Sequence, residues 1–212
     1  MDDIMLEISE LLQKGRAPLV KEKVQQALGN GCSPKDILEQ GLLAGMDVIG
    51  EKFRNNEVFV PEVLIAARAM NNGIAVLKPH LAAMGVESAG CVILGTVKGD
   101  LHDIGKNLVK LMLEGKGFQV VDLGVNVSAE QFVKAAQEHD ADIVCCSALL
   151  TTTMTEMKSV EQALRDAGLR EKVKFMVGGA PVTQAFADSV GADCYTPDAA
   201  TCAEEALRLC RA

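Results

Sequence analysis

Tryptophan is absent from the 212-residue sequence, tyrosine occurs once, and aromatic residues make up 3% of it. The stacking platforms on which single-stranded nucleic acids are read are therefore missing. Positive charge is also scarce. Against 29 Asp and Glu stand 21 Lys and Arg, a formal net charge of −8, which excludes a basic footprint for nucleic acid or an anionic membrane. No apolar run reaches the roughly 18–20 residues of a membrane span. Residues 1–7 lack the basic region that opens a signal peptide, so the expected compartment is the cytoplasm. The seven cysteines (Cys32, Cys91, Cys145, Cys146, Cys194, Cys202 and Cys210) contain no C-x-x-C pair. They read as small hydrophobes of a core, not as a zinc or dithiol site. G-x-G-x-x-G and G-x-x-x-x-G-K-[ST] are both missing, which argues against a phosphate cradle.

What is present divides into two patterns. The first 85 or so residues carry only helical periodicity. Ile4, Met5, Ile8, Leu11 and Leu12 share one face of a first helix, and a second runs from Ala17 to a left-handed cap near Gly29-Asn30-Gly31. Ser33-Pro34 opens a third helix, with Ser33 as its cap and a stripe of Ile37, Leu38, Leu42, Met46 and Ile49. A fourth follows Val60-Pro61, with Val63, Leu64, Ala67, Met70, Ile74 and Leu77 on its stripe. Short connections between four such helices predict an antiparallel bundle.

After a polar stretch at 85–90 the pattern alternates: strands near 91–96, 118–123, 142–147, 173–177 and 193–195, with amphipathic helices between and after them. This predicts right-handed βαβ crossovers and a parallel sheet covered on both faces, in the flavodoxin-like order 2-1-3-4-5. The expected organisation is an α/β protein with a helical-bundle domain at 1–88 and a Rossmann-like domain at 89–212.

In such a sheet, ligands bind at the C-terminal ends of the strands. The first strand ends there in Gly95-Thr-Val-Lys-Gly99-Asp100-Leu101-His102-Asp103-Ile-Gly105, the third in Ser147-Ala-Leu149 followed by Thr151 to Thr153, and the fourth in Gly178-Gly179. Small and hydroxyl side chains at these ends suggest a narrow slot with a histidine at its mouth. His102 could be a general base, a metal ligand or a solvated surface histidine. Asp100 two residues earlier favours the first two, because a carboxylate on one ring nitrogen fixes the tautomer and presents the other. With no second cluster of metal-binding side chains nearby, a metal held by His102 would arrive with its other ligands in place.

Asp100-x-His102-x-x-Gly105, then 41 residues, Ser147-x-Leu149, then 28 residues, and Gly178-Gly179 together resemble the cobalamin-binding fingerprint of base-off, His-on corrinoid proteins. That family includes the cobalamin domain of methionine synthase and the methyltransferase corrinoid proteins, and the helical half is similar to its cap domain. The resemblance implies that His102 ligates cobalt, that Asp100 holds its other ring nitrogen, and that Thr153, where methionine synthase has a serine, extends a hydroxyl behind Asp100. It implies that Gly99, Leu101, Asp103 and Gly105 line the corrin, and that Ser147, Leu149, Thr151, Gly178, Gly179 and Ala199 line the slot for the displaced nucleotide tail. Phe53, Val60 and Val63 would cover the opposite face.

The function implied is a cobalamin protein carrying a methyl group from a substrate-specific methyltransferase to a second-step corrinoid methyltransferase, serviced by a reductive activase. It would be a non-catalytic or co-catalytic subunit. Methylamines, methanol, glycine betaine and methoxylated aromatics are the candidate donors. A cobalamin-dependent sensor and a mutase cobalamin subunit are the alternatives.

Overall fold

The computed structural model describes residues 2–84 and 88–211. The chain divides into two compact units, Met1–Glu87 and Ser88–Ala212. The stretch expected as a linker lies partly outside the described residues.

The first unit is helical: α1 (Asp2–Gln13), α2 (Ala17–Gly29), α3 (Pro34–Asp36), a π-helical segment (Ile37–Leu43), α4 (Ala44–Arg54) and α5 (Val60–Ala83). Pro18 suits the first turn of α2, where its missing N–H leaves no bond unmade. The helix closes as expected. Gly31, at φ +81°, bonds back to Leu28 O and Cys32 to Ala27 O, the paired bonds of a Schellman cap. Ser33 has the extended backbone of an N-cap, but its hydroxyl makes no cap bond, contrary to expectation. The core draws one face from each helix: Ile8 and Leu12, Val20 and Val24, Leu42 and Ile49, and Met70 and Leu77 are all buried.

The third helix departs from the single α-helix that its stripe predicts. Residues Ile37–Leu43 widen to the π form before α4 resumes. Periodicity cannot reveal this, because the apolar stripe survives the wider turn. The glycines there bring α1 close: a Cβ at Gly41 would stand 3.1 Å from Ile8 Cγ2, and one at Gly45 3.1 Å from the Ser9 backbone. The small residues Ala66, Ala67 and Ala69 of α5 are fully buried, as ordinary helix packing requires.

The second unit is a five-stranded sheet of order β2-β1-β3-β4-β5, all of whose strand pairs are parallel. Its strands are β1 (Cys91–Thr96), β2 (Gln119–Asp122), β3 (Ile143–Ser147), β4 (Lys174–Gly178) and β5 (Cys194–Tyr195). Its helices are α6 (Ile104–Gly115), α7 (Ala129–Glu138), α8 (Glu156–Asp166), α9 (Gln184–Ser189) and α10 (Ala199–Arg211). α7 packs with α8, and α6 with α10. Ile93, Phe132, Val144, Met157 and Phe175 form the core of one face. A capping box at Ser128 and Gln131 starts α7. All seven cysteines are free. Burial pushes the Cys146 thiol well up, as befits a core hydrophobe.

The register settles what can meet at the sheet's end. Thr96 pairs with Ser147, and Ser147 with Gly178. The last residues of β1, β3 and β4 therefore lie side by side, which brings three stretches distant in sequence to one edge.

Candidate functional site

β1 ends in Thr96, whose fully buried hydroxyl donates to the His102 carbonyl at 2.9 Å. The chain between them turns at Val97–Asp100, closed by the Asp100 N–H donating to Val97 O at 3.1 Å, with Gly99 at φ +79°. Such a positive φ is what glycine adopts without strain. The turn aims the Asp100 carboxylate inward.

Asp100 is fully buried, and both its oxygens are occupied. Oδ1 accepts from the His102 N–H at 3.1 Å and lies 2.8 Å from His102 Nδ1. Oδ2 accepts from the N–H groups of Leu149 (2.8 Å) and Leu150 (3.2 Å) and from the Thr153 hydroxyl (2.7 Å). Burial alone would push this carboxyl up. The bonds from Leu149, Thr153 and His102 more than offset it, leaving the group well below the usual carboxylate range. Asp100 is therefore an anion at neutral pH. Beside an anion that accepts and cannot donate, Nδ1 carries the ring proton and Nε2 the lone pair. The His102 side chain is 52% exposed, so that lone pair is accessible.

Exposed apolar residues cluster in the two segments that meet at Asp100. Leu101 and Ile104, on either side of His102 in the chain, are 72% and 76% exposed, and Leu149 and Leu150, bonded to Asp100, are 43% and 41% exposed. Open space lies at Gly105, where a Cβ would meet nothing within 4 Å. A basic nitrogen among solvent-facing leucines, with a side chain's worth of space beside it, suits a broad apolar ligand that brings its own metal. Among the described residues no group of three or more His, Cys, Asp or Glu is placed to hold an ion unaided.

The structure thus joins Gly99, Asp100, Leu101, His102, Asp103, Gly105, Leu149 and Thr153 around one carboxylate and its loop. Asp103 sits at the N-cap of α6 without a side-chain cap bond. Register adds Ser147 and Gly178. Thr151 is exposed in the connection after β3, and Ala199 is buried in the first turn of α10. The two glycines after β4 differ. A Cβ at Gly178 would stand 3.7 Å from Thr196 O, an ordinary contact, whereas one at Gly179 would collide with the Ala148 carbonyl oxygen, at φ +125°. The space at Gly179 is filled by the protein itself, so that glycine does not leave the open room expected of it. In the helical unit Phe53 and Val60 are half-buried, but Val63 is fully buried, while Phe59 and Leu64 nearby are 62% and 49% exposed.

Sequence reasoning missed the bracing from β2. Lys106, 2% exposed, donates to both Asp122 oxygens at 2.6 and 2.7 Å and so ties the start of α6 to the end of β2. Burial would raise the Asp122 carboxyl, but the Lys106 ammonium, the Gly124 N–H and Lys110 lower it overall. Asn126 was also missed. It bonds both Gly99 and Asp100. Its one legible signal was an Asn in a Gly-Val-Asn-Val connection, a residue type that tolerates left-handed backbone.

Comparison with known proteins bears on what this geometry serves. A family described as B12 binding domain matches residues 90–208, and a second family of the same description matches 6–78. Trimethylamine corrinoid protein 1 of Methanosarcina acetivorans is 43% identical over 196 residues, covering 92% of this chain and 91% of that protein. The dimethylamine corrinoid protein of Methanosarcina barkeri is 42% identical over 210 residues and 98% of each chain. Among solved structures, the methanol:cobalamin methyltransferase complex from Methanosarcina barkeri superposes with a TM-score of 0.90 at 32% identity, over 100% of this chain and 81% of that one. Among the described residues no helix is long and apolar enough to cross a membrane. With matches to both units and a strand-edge imidazole backed by a buried anion, the chain belongs to the B12-binding family, among the corrinoid proteins of methyltransferase systems.

Proposed function

We propose that this chain binds a corrinoid at the C-terminal edge of its parallel sheet, with His102 as the residue that would hold its cobalt, and carries a methyl group between two methyltransferases. The observation that carries the reading is the saturated Asp100 carboxylate, which leaves the accessible His102 nitrogen as a lone-pair donor among exposed apolar side chains. When bound, the corrinoid would supply a cobalt centre able to hold a methyl group for transfer.

The chain's residues bind and orient. Asp100 holds Nδ1–H and raises the basicity of Nε2; losing such a partner behind a metal-ligating histidine typically costs about 10–100-fold in affinity or activity. A proton competes with the metal for Nε2, and an imidazolium formed there stays paired with Asp100 through Nδ1. Thr153, 2.7 Å behind, steadies the anion in both states. Leu101, Ile104 and Gly105 face the ring system, with Gly99 and Asp103 shaping the loop. Ser147, Leu149, Thr151, Gly178 and Ala199 receive the nucleotide tail, with Gly179 closing the chain against Ala148 beside them.

The curated relatives named above are trimethylamine and dimethylamine corrinoid proteins, which favours a methylamine as the upstream donor. The partners are a donor-specific methyltransferase, a second corrinoid methyltransferase and a reductive activase, in the cytoplasm. The test reconstitutes the apoprotein with cobalamin and incubates it, reduced, with a methylamine methyltransferase and trimethylamine, dimethylamine, monomethylamine or methanol. The expected result is retention of one corrinoid through gel filtration and donor-dependent methylation seen in the visible spectrum. Failure to retain any corrinoid sinks the reading.

A further inference from the structure

We infer that Asn126, in the connection from β2 to α7, is a positioning residue for the His102 ligand. The inference rests on the reading of His102 as a cobalt ligand and adds a residue that acts on it at one remove.

In the Val97–Asp100 turn, the Gly99 N–H and the Asp100 carbonyl point away from the turn's own hydrogen bond. Both end on Asn126. The Gly99 N–H donates to Asn126 Oδ1 at 2.8 Å, and the Asn126 N–H donates to Asp100 O at 2.9 Å. The two bonds hold the peptide groups on either side of the Gly99–Asp100 peptide, whose own N–H closes the turn onto Val97 O, and so fix the backbone rotation that decides where the Asp100 carboxylate points. Asn126 itself sits at φ +56°, a left-handed conformation that Asn tolerates better than most residues because its short amide bonds locally.

The grip has a rigid base. The Asp122 carboxylate accepts from the Gly124 N–H at 2.9 Å and holds the buried Lys106 ammonium, whose third bond goes to Asn107 Oδ1 at 2.7 Å. Thr96 N–H donates to Gly124 O at 2.9 Å, and Val127 N–H to Thr96 O at 3.0 Å. The connection is therefore fastened to β1, β2 and α6, with Asn126 reaching from it to the ligand loop. Asn126 is exposed and lies outside every strand and helix. Its amide contributes nothing to the core around Phe132 and Phe175, so a purely structural role is a poor account of a bond aimed at Gly99.

Without that amide, the Lys98–Gly99 peptide gains freedom and the turn with it, the carboxylate wanders from Nδ1, and the imidazole reverts towards the tautomer with its proton on Nε2, where it cannot ligate. The test reads the tautomer in the apoprotein. Protein labelled with ¹⁵N-histidine, at a pH where the imidazoles are neutral, reports Nδ1–H against Nε2–H for each of the three histidines, with His102→Ala assigning the signal. Asn126→Gly keeps the left-handed backbone and the N–H to Asp100 but deletes the acceptor. It should lower the Nδ1–H:Nε2–H ratio at His102 about tenfold, the lower end of what partners behind a ligating histidine are worth. Asn126→Asp retains an acceptor oxygen and should restore the ratio. Should Asn126→Gly fail to fold, Asn126→Ser, whose hydroxyl falls short of Gly99, carries the same comparison.

A second arm separates this inference from the reading beneath it. With cob(II)alamin bound, an axial ¹⁵N-histidine splits the cobalt resonance into doublets, whereas the cofactor's own ¹⁴N base gives triplets. Doublets in the wild type that vanish in His102→Ala uphold His102 as the ligand. If they do so while the tautomer ratio in Asn126→Gly is unchanged, the positioning role is overturned and the ligand stands. If the wild type shows no doublets, the ligand assignment fails and the inference falls with it.

Discussion

The loops that leave β1 and β4 stand at the same edge of the sheet, and each carries glycines beside a functional position, yet they use them oppositely. After β1, Gly99 supplies a turn and Gly105, in the first turn of α6, faces empty space, so this segment spends its small residues on aim and on room. After β4, Gly179 is pressed against the Ala148 carbonyl, and only Gly178 has ordinary clearance. One loop presents an accessible nitrogen on a frame of satisfied bonds. The other closes the chain upon itself to form a wall. A glycine in a binding fingerprint can therefore mark space for the ligand or the absence of space for anything.

The sharpest break of this comparison is at Gly179. Gly179→Ala forces a side chain into a left-handed backbone and against a carbonyl, with an expected cost of at least about 3 kcal/mol in the apoprotein, read from denaturant midpoints. Gly178→Ala should change apoprotein stability by less than about 0.5 kcal/mol while weakening corrinoid retention. Equal stability losses in both variants would erase the distinction between the glycines.

Next in size is Asp100→Asn. The amide offers donors where Leu149, Leu150 and Thr153 already donate, and ligation by His102 should weaken about 10–100-fold in cobalamin titrations. The variant also tests the charge. Because the folded pKa of Asp100 is depressed, its stabilisation is present above the unfolded value of about 3.9 and is lost as pH falls through the lower folded value. Acid unfolding below about pH 4 should therefore be shallower in Asp100→Asn than in the wild type, with parallel profiles at neutral pH.

Thr153→Val removes one charge-assisted bond to Asp100, worth about 1.5–3 kcal/mol at most, and Thr153→Ser should recover it. A Ser variant no better than Val would show that the threonine methyl, and not the hydroxyl, matters. The smallest effect belongs to Gly105→Ala. With nothing within 4 Å of the new Cβ, it should stabilise the apoprotein by up to about 1 kcal/mol through helix propensity, yet reduce corrinoid affinity. A rise in both would place the ligand elsewhere.

Much of this was legible in the sequence, for identifiable reasons. Strand boundaries in the second unit fell within a residue or two because alternating apolar runs determine them locally. The flavodoxin-like order that five alternating strands fit is the one observed, and it places Thr96, Ser147 and Gly178 at one edge. The Asp100–His102 pairing could be read because both residues lie within one short loop. What escaped was set by contacts between distant segments. The π turn at Ile37–Leu43 leaves the apolar stripe intact. Lys106 reads as an exposed helix lysine until Asp122 arrives from another strand. Gly179 looked free because its neighbour, the Ala148 carbonyl, leaves no local signal, whereas the burial of Val63 was already legible from its place on the apolar stripe.

The double hold on the His102 backbone has one more consequence. Its N–H is fixed by Asp100 and its carbonyl by Thr96, while the ring is held by the Nδ1 bond alone. Engaging or releasing an axial partner then requires only side-chain torsion on a stationary main chain. Rotations of exposed side chains take picoseconds to nanoseconds, whereas loop rearrangements extend to microseconds. On the proposed reading of His102 as a cobalt ligand, gaining or losing that bond is thus spared the slower motion.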